Sequence, residues 1–483
     1  MSVKFKLGKI TVEEVARAIN GEIHLFGNAS KSDECSGIDI DSRKIECGDI
    51  FVAILGERVD GNDYIGSAVE KGAVMCIARS LPSDIDKIDG SFSIIVCNDP
   101  TVAVGDLARE YKKRSSVKTI GVTGSVGKTT TKELISAVLS EKFKVHKTEG
   151  NHNNELGLPL SILGMEADSE AAVLEMGMSN LREIARLSEI AEPDFGVVTT
   201  IGSSHIETLG SRENICKAKM EIAEGLKPNG ELVLCGDEPL LFAYRCSEYH
   251  PTYVSVYNNE AEFRAVNVSY ADNTTIFDIV HGKDVITNLQ IPALGLHHVY
   301  SGLFAYAIGV KFGLDADTIR RGFMNFKNAA MRQSVYEIGG IKIIDACYNA
   351  SPESMRASLE VLCEMSRQSK KARKMALLGD MRELGAETRA LHESLGKFVA
   401  EKKLDKLFTY GVAASFIASG AIDSGMNKAD VYDNSDITDP LASGKMILEQ
   451  ARRGDIILFK ASRAMAVEKI LAYLRENENN IRG

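Results

Sequence analysis

The sequence predicts an α/β protein of three domains. Its 483 residues exceed the roughly 250 to 300 at which a single core stops growing. Apolar runs of strand length alternate with amphipathic helical stretches over most of the chain, and a glycine-rich loop joins one such strand to the helix after it. The expected spans are 1–112, 113–328 and 329–483. A formal net charge of -10 without long acidic or basic runs argues against nucleic acid as the main partner, because phosphate backbones are held by clustered Lys and Arg. No apolar stretch approaches the roughly 20 residues that span a bilayer, and Met1-Ser2-Val3-Lys4-Phe5-Lys6 lacks the apolar run of a signal peptide. A cytoplasmic protein without membrane insertion is therefore expected. The nine cysteines are scattered without a Cys-x-x-Cys pair, which predicts reduced, mostly buried thiols rather than disulfides or a zinc knuckle.

Residues 1–112 carry β-like runs at Asp49 to Leu55 and Phe92 to Cys97 and an amphipathic helix near Ile65 to Lys71, the pattern of a small α/β unit. A helix over Val102 to Arg114, basic at its end, leads into the apolar strand Thr119 to Thr123. A helix follows over Thr129 to Ser140, with Leu134, Ile135, Val138 and Leu139 on one face, then strands at Ala171 to Met176 and Phe195 to Ile201. This alternation predicts a mostly parallel, doubly wound sheet. Residues 230–290 read as short alternating strands with turns at Asn258-Asn259 and Asp272-Asn273, which predicts an antiparallel extension. The last span repeats the strand-helix alternation, with strands Ile341 to Ala346, Met375 to Gly379, Leu407 to Gly411 and Ile456 to Lys460, and is expected to be Rossmann-like. Ser351-Pro352 marks a helix start within it, serine as cap and proline in the first turn.

The loop Thr123-Gly124-Ser125-Val126-Gly127-Lys128-Thr129-Thr130 follows an apolar strand and opens a helix. Successive backbone N–H groups and the helix N-terminus then converge on an anion, so the central sheet is expected to be of P-loop type. Lys128 would reach the β and γ phosphates of a nucleotide, and the Thr129 or Thr130 hydroxyl would ligate Mg²⁺. Val122 stands where the usual spacing has its first glycine, leaving the shorter T-G-x-x-G-K-T-T form; a chance Gly-Lys turn is the alternative. Glu175 closes Ala-Ala-Val-Leu-Glu and His205 follows Val-Val-Thr-Thr-Ile, both at carboxyl ends of predicted strands, where open α/β sheets bind ligands. With the loop threonine they could hold two Mg²⁺ ions; taken singly they also read as a capping Glu and a surface His. Lys217-Ala218-Lys219-Met220-Glu221 reads from residue chemistry as a solvated helix face, and Gly150 to Asn154 as a polar loop. Asp345, before Tyr348-Asn349-Ala350-Ser351-Pro352, and Asp380, within Leu378 to Gly385, also close strands. Carboxylates there can hold a ribose, a metal-bound water or an ammonium group, or cap helices.

Taken in order with Asp41-Ser42-Arg43-Lys44, Gly48 to Ala53 and Gly56 to Gly61, these motifs resemble the Mur ligases over nearly the whole chain. The third-domain motifs Asp345 to Met355 and Leu378 to Gly385 with His392 are most similar to the branch that adds D-alanyl-D-alanine. The resemblance implies an ATP-dependent amide ligase of peptidoglycan synthesis that takes UDP-MurNAc-tripeptide and D-Ala-D-Ala as substrates. Phosphorylation of the tripeptide carboxylate would give an acyl phosphate, which the dipeptide amine then attacks. It implies ATP on the glycine loop, Arg332 and Asp345; two Mg²⁺ ions on Thr129, Glu175, His205 and a carbamylated Lys219; and Lys128, Lys219 and His205 in catalysis. Ser42, Arg43, Asn151, Asn154, Tyr348, Asn349, Asp380 and Glu383 would bind substrates. A monomer is expected, with the third domain swinging in over ATP to exclude water.

Two motifs depart from the family pattern. Gly295-Leu296-His297-His298 and then Ser301 stand where relatives have Gly-Arg-His-Asn and then Asn for adenine, and Lys460-Ala461-Ser462-Arg463 stands for Lys-Gly-Ser-Arg. Two rival readings are a sister Mur or folylpolyglutamate ligase and a nucleotide-binding protein that has lost catalysis. The N-terminal UDP-sugar signature argues against a folylpolyglutamate ligase, and joint retention of Lys128, Glu175, His205 and Lys219 against the second reading.

Overall fold

The computed structural model describes residues 2–56, 58–247, 249–369, 372–435 and 439–481. Glu57, within the Gly56 to Gly61 motif, lies outside the described residues. The protein is α/β, as predicted, with sheets rich in parallel strands. It forms two compact units: Met1–Thr123 with Lys142–Gly196 and Met220–Glu231, and Gly124–Glu141 with Val197–Lys219 and Leu232–Gly483.

In the first unit the N-terminal sheet runs in the order Val3–Lys4, Gly37–Asp39, Asp49–Val52, Met75–Ala78, Phe92–Val96, Glu22–Phe26. Its four inner strands are parallel and both edges antiparallel. Asp49–Val52 and Met75–Ala78 are buried along their whole length, as parallel strands covered on both faces are. Asp49 within that core accepts hydrogen bonds from Lys4 Nζ at 2.7 Å and from the Glu46 amide at 3.0 Å. The helix expected from Val102 starts two residues earlier, at Pro100, because Asp99 caps it through the Thr101 amide at 2.8 Å and proline suits its first position. Strand Lys118–Thr123 then pairs in parallel with Ala171–Glu175, which pairs with Val145–Lys147. The register sets Glu175 opposite Val122, so Glu175 and Thr123 close neighbouring strands at one carboxyl edge.

In the second unit, helix Lys128–Leu139 buries Leu134, Ile135, Val138 and Leu139 completely, the face the periodicity marked. Helices Leu296–Lys311 and Ala316–Met324 approach it closely: a Cβ on Gly322 would lie 2.5 Å from Val138 Cα. The extension over residues 230–290 corrects the expectation in part. Phe263–Ala271, Thr274–His281 and Asp284–Ile291 are antiparallel, and the Asp272-Asn273 turn has both residues at positive φ, as a tight hairpin requires. Glu231–Cys235, Thr252–Ser255 and the start of Phe263–Ala271 run parallel instead. Asn258-Asn259 lies in a crossover, where the Asp237 carboxylate accepts from the amides of Val256 and Asn258.

The C-terminal sheet has the order Ser334–Ile338, Ile341–Asp345, Ile456–Lys460, Lys374–Gly379, Lys406–Tyr410, Val431–Asn434, parallel except for its first strand. That edge strand is half exposed and carries little apolar signal, so the sequence does not mark it. Ser351 caps helix Pro352–Gln368 as predicted, forming a reciprocal pair with Ser354. Cys35, Cys76, Cys97, Cys216, Cys235 and Cys347 are buried, and all nine cysteines are free thiols. Among the described residues no helix is long and apolar enough to cross a membrane.

Candidate active site

The glycine loop is shaped by backbone conformations that a side chain would resist. Gly124 has φ +140° and Gly127, before the first residue of helix Lys128–Leu139, has φ +88°. The far side of the loop is fixed by Thr199, whose hydroxyl donates to the Val126 carbonyl at 2.6 Å, and by the Ser125 amide, which donates to the Thr200 carbonyl at 2.8 Å. Lys128 Nζ donates to the Gly124 carbonyl at 2.7 Å, so the ammonium sits over the loop. Thr129 is buried in the first helical turn, and Thr130 is half-buried. Thr131 donates to Ser301 Oγ at 3.1 Å, and Ser301 in turn to the His297 carbonyl at 3.1 Å. The serine that departs from the family pattern therefore braces the loop helix.

A Cβ at Gly124 would lie 2.0 Å from Thr199 Oγ1. Gly124→Ala is expected to break the Thr199–Val126 bond and strain the backbone, about 1–3 kcal/mol for the conformation alone. ATP affinity should fall at least about 10-fold at unchanged circular dichroism, as read by nucleotide titration.

At the first unit's sheet edge, Thr123 Oγ1 donates to the Met176 carbonyl at 2.9 Å. Glu175 is 1% exposed, and its Oε1 accepts from Asn153 Nδ2 at 2.9 Å. Of the polar loop Gly150 to Asn154 it is thus Asn153, not singled out from sequence, that reaches the carboxylate. Asn154 is exposed and accepts from the Gly157 amide at 2.8 Å, and Asn151 is exposed. Ser42 is buried, whereas Arg43 is exposed and doubly bonded to Asp41, at 2.9 and 3.0 Å.

In the second unit His205 has φ +64°, and its Nδ1 lies 2.6 Å from Glu383 Oε2. Lys219, in the last turn of helix Arg212–Met220, is 0% exposed, while Lys217 faces solvent. The solvated-face reading is corrected for Lys219: the helix turns one lysine outward and the other into the protein. Among the described residues no group of three His, Cys, Asp or Glu side chains lies close enough to hold a metal ion.

Arg332 stacks on the Tyr348 ring at 4.0 Å, and the Tyr348 amide donates to the Met331 carbonyl. Buried Asp345 accepts from the Cys347 amide at 3.2 Å. Asn349 is exposed; its carbonyl accepts from Lys460 Nζ at 2.9 Å. Burial lowers the Lys460 ammonium to about 8, and the neighbouring Arg332 charge adds to this. His297 is lowered to about 4 by burial and by Lys460, and burial with the neighbouring His297 holds fully enclosed His298 well below the usual imidazole range. Asp380 accepts from the Ala414 amide at 2.7 Å and so acts as a loop anchor. His392 Nδ1 donates to the Thr388 carbonyl at 2.6 Å, leaving Nε2 to accept the Met381 amide at 3.0 Å. That pair of bonds fixes the tautomer, and the role is structural.

Three family models match: "Mur ligase family, catalytic domain" over residues 34–112, "Mur ligase middle domain" over 122–309 and "Mur ligase, glutamate ligase domain" over 331–463. The UDP-N-acetylmuramoyl-tripeptide–D-alanyl-D-alanine ligase of Bacillus subtilis is 39% identical over 97% of this chain and 99% of its own length. The Synechocystis ligase of the same name is 32% identical over 94% and 95%. Among solved structures, MurF from Acinetobacter baumannii superposes with a TM-score of 0.86 at 27% identity, covering 98% of this chain and 100% of that one. The MurF ligase of Thermotoga maritima, in complex with ADP, gives 0.79 at 31% identity over 92% and 97%.

Proposed function

The chain belongs to the Mur ligase family, and from that premise we propose that it is an ATP-dependent ligase joining D-alanyl-D-alanine to UDP-N-acetylmuramoyl-tripeptide in peptidoglycan precursor synthesis. The observation that carries the reading is the glycine loop. Its left-handed glycines, its lysine and a helix N-terminus surround one place, and Ser125 Oγ is buried there with no hydrogen-bond partner among the described residues. The loop by itself supports only triphosphate binding. The relatives with which the chain aligns end to end supply the carboxylate and the amine.

A carboxylate is a poor electrophile because its charge repels an incoming amine. In the proposed reaction the terminal carboxylate oxygen of the tripeptide forms a bond to the γ phosphorus of ATP as the bond to ADP breaks, giving an acyl phosphate. The dipeptide nitrogen, as the neutral amine, then bonds to the acyl carbon, phosphate departs with the C–O electrons, and the nitrogen gives up one proton, which the released phosphate can take. Lys128 and the helix N-terminus offset charge on the transferring phosphoryl, where catalysis is chiefly positioning and electrostatics. Hard divalent cations take oxygen donors, and the Glu175 carboxylate and the Thr129 hydroxyl, each buried in its own unit, are of that chemistry. His205 and Lys219 complete the proposed donor set. Mg²⁺, when bound, neutralises phosphate charge. A neutral Lys219 amine adds to CO₂ with loss of a proton to give a carbamate whose oxygens are donors of the same kind, and the side chain is enclosed.

Phosphate release tests the proposal. ATP turnover is expected only when UDP-MurNAc-tripeptide and D-Ala-D-Ala are both present. Release with another amine donor in place of D-Ala-D-Ala would indicate a sister ligase, and none with any pair a protein without ligase activity; either overturns the reading.

A further inference from the structure

Helix Pro352–Gln368 carries Glu353 in its first turn, where carboxylates are commonly stabilised by the helix N-terminus. Its surroundings go beyond what a helix end needs. Glu353 Oε1 accepts two hydrogen bonds from Ser203, from the amide at 2.9 Å and from the hydroxyl at 3.0 Å. The approach depends on glycine at position 202, since a Cβ there would lie 2.7 Å from the Glu353 carboxyl carbon. On the preceding residue, the Ile201 carbonyl accepts from Arg212, which also holds the buried Glu238 carboxylate at 2.8 Å. Two residues beyond Ser203 comes His205, in a left-handed conformation against Glu383, and the Glu207 amide donates to the Glu383 carbonyl at 3.2 Å. Residues 201–207 are thus gripped by two segments of the C-terminal sheet domain, one of them through a charged acceptor that takes a backbone donor.

We propose that Glu353 is a positioning residue: by holding Ser203 it registers helix Pro352–Gln368 against the turn that carries His205, and so couples seating of the C-terminal domain to the geometry of the phosphoryl-transfer site. Its effect on turnover rests on the ligase reading above; its effect on the 201–207 turn does not. The function needs an acceptor oxygen at this place and not a proton-transfer group, so glutamine should replace it.

The test compares the full-length wild type with E353A, E353Q, S203A and the double variant S203A/E353A. With ATP, Mg²⁺, UDP-MurNAc-tripeptide and D-Ala-D-Ala, E353A is expected to lower kcat about 10- to 100-fold, the range for losing hydrogen bonds to a charged group. KM for ATP should stay within about threefold, because the triphosphate loop is untouched. E353Q should recover kcat to within about threefold of wild type, S203A should fall between, and the double variant should be no worse than E353A, since both remove one interaction. Hydrogen exchange of residues 200–210, read without substrates, should be faster in E353A and unchanged in E353Q. Unchanged exchange or wild-type kcat in E353A, or an E353Q as impaired as E353A, overturns the proposal. A wild type inactive with these substrates refutes the ligase reading alone, and exchange still decides the role of Glu353.

Discussion

Replacing Lys128 by alanine is expected to abolish acyl phosphate formation, with turnover falling at least about 10³-fold, equivalent to about 4 kcal/mol of lost transition-state stabilisation. The expectation comes from where the lysine sits. It is the first residue of a helix whose apolar face is fully buried, it follows a glycine at positive φ, and its ammonium already lies over the loop at 2.7 Å from the Gly124 carbonyl. The position is fixed before any substrate arrives, so little reorganisation is needed when negative charge moves from the γ phosphoryl toward the leaving ADP. The side chain is only half-buried, and its removal leaves the helix packing intact; circular dichroism and thermal unfolding should be close to wild type. Trapping the acyl phosphate with hydroxylamine separates this step from amide formation. Wild-type-like trapping in Lys128→Ala would overturn the loop's assignment to ATP.

What could be read in the sequence, and what could not, follows the range of the forces involved. The glycine loop was legible because its determinants are local: a strand, two glycines in left-handed conformations and a helix start lie within eight residues. Parallel strands such as Asp49–Val52 and Ile456–Lys460 were legible because burial on both faces leaves a continuous apolar run. The edge strand Ser334–Ile338 was not, since it is half exposed and its pairing depends on Ile341–Asp345. Side-chain partners across the fold were the least legible. Thr199 lay within a motif noted only for preceding His205, yet it closes the loop through the Val126 carbonyl. Asn153 was one of three asparagines of similar appearance, and only the fold directs it to Glu175. Glu353 occupies the place of an ordinary first-turn acid, and only the fold brings Ser203 to donate to it twice.

Lys219 shows the same gap most sharply, because residue chemistry favoured solvent and the fold encloses the side chain completely. Lys217, two positions earlier, points outward, so charge pattern alone could not separate them. A lysine amine adds to CO₂ only in its neutral form, with loss of one proton, and the enclosed side chain keeps the product from bulk solvent. Carbamylation turns that neutral amine into an anionic group with two oxygens, suited to a hard cation in a way that lysine itself is not. Lys219→Ala is therefore expected to lower turnover at least about 10³-fold, on the scale of removing a group that organises phosphoryl transfer. A readout independent of turnover is carbon-13 NMR of the protein equilibrated with labelled bicarbonate. The wild type should show one carbamate resonance that Lys219→Ala lacks, and the signal should disappear on denaturation, when the carbamate loses its enclosure. A wild type without the resonance would sink the carbamate, and near-normal activity in Lys219→Ala would remove the residue from the mechanism.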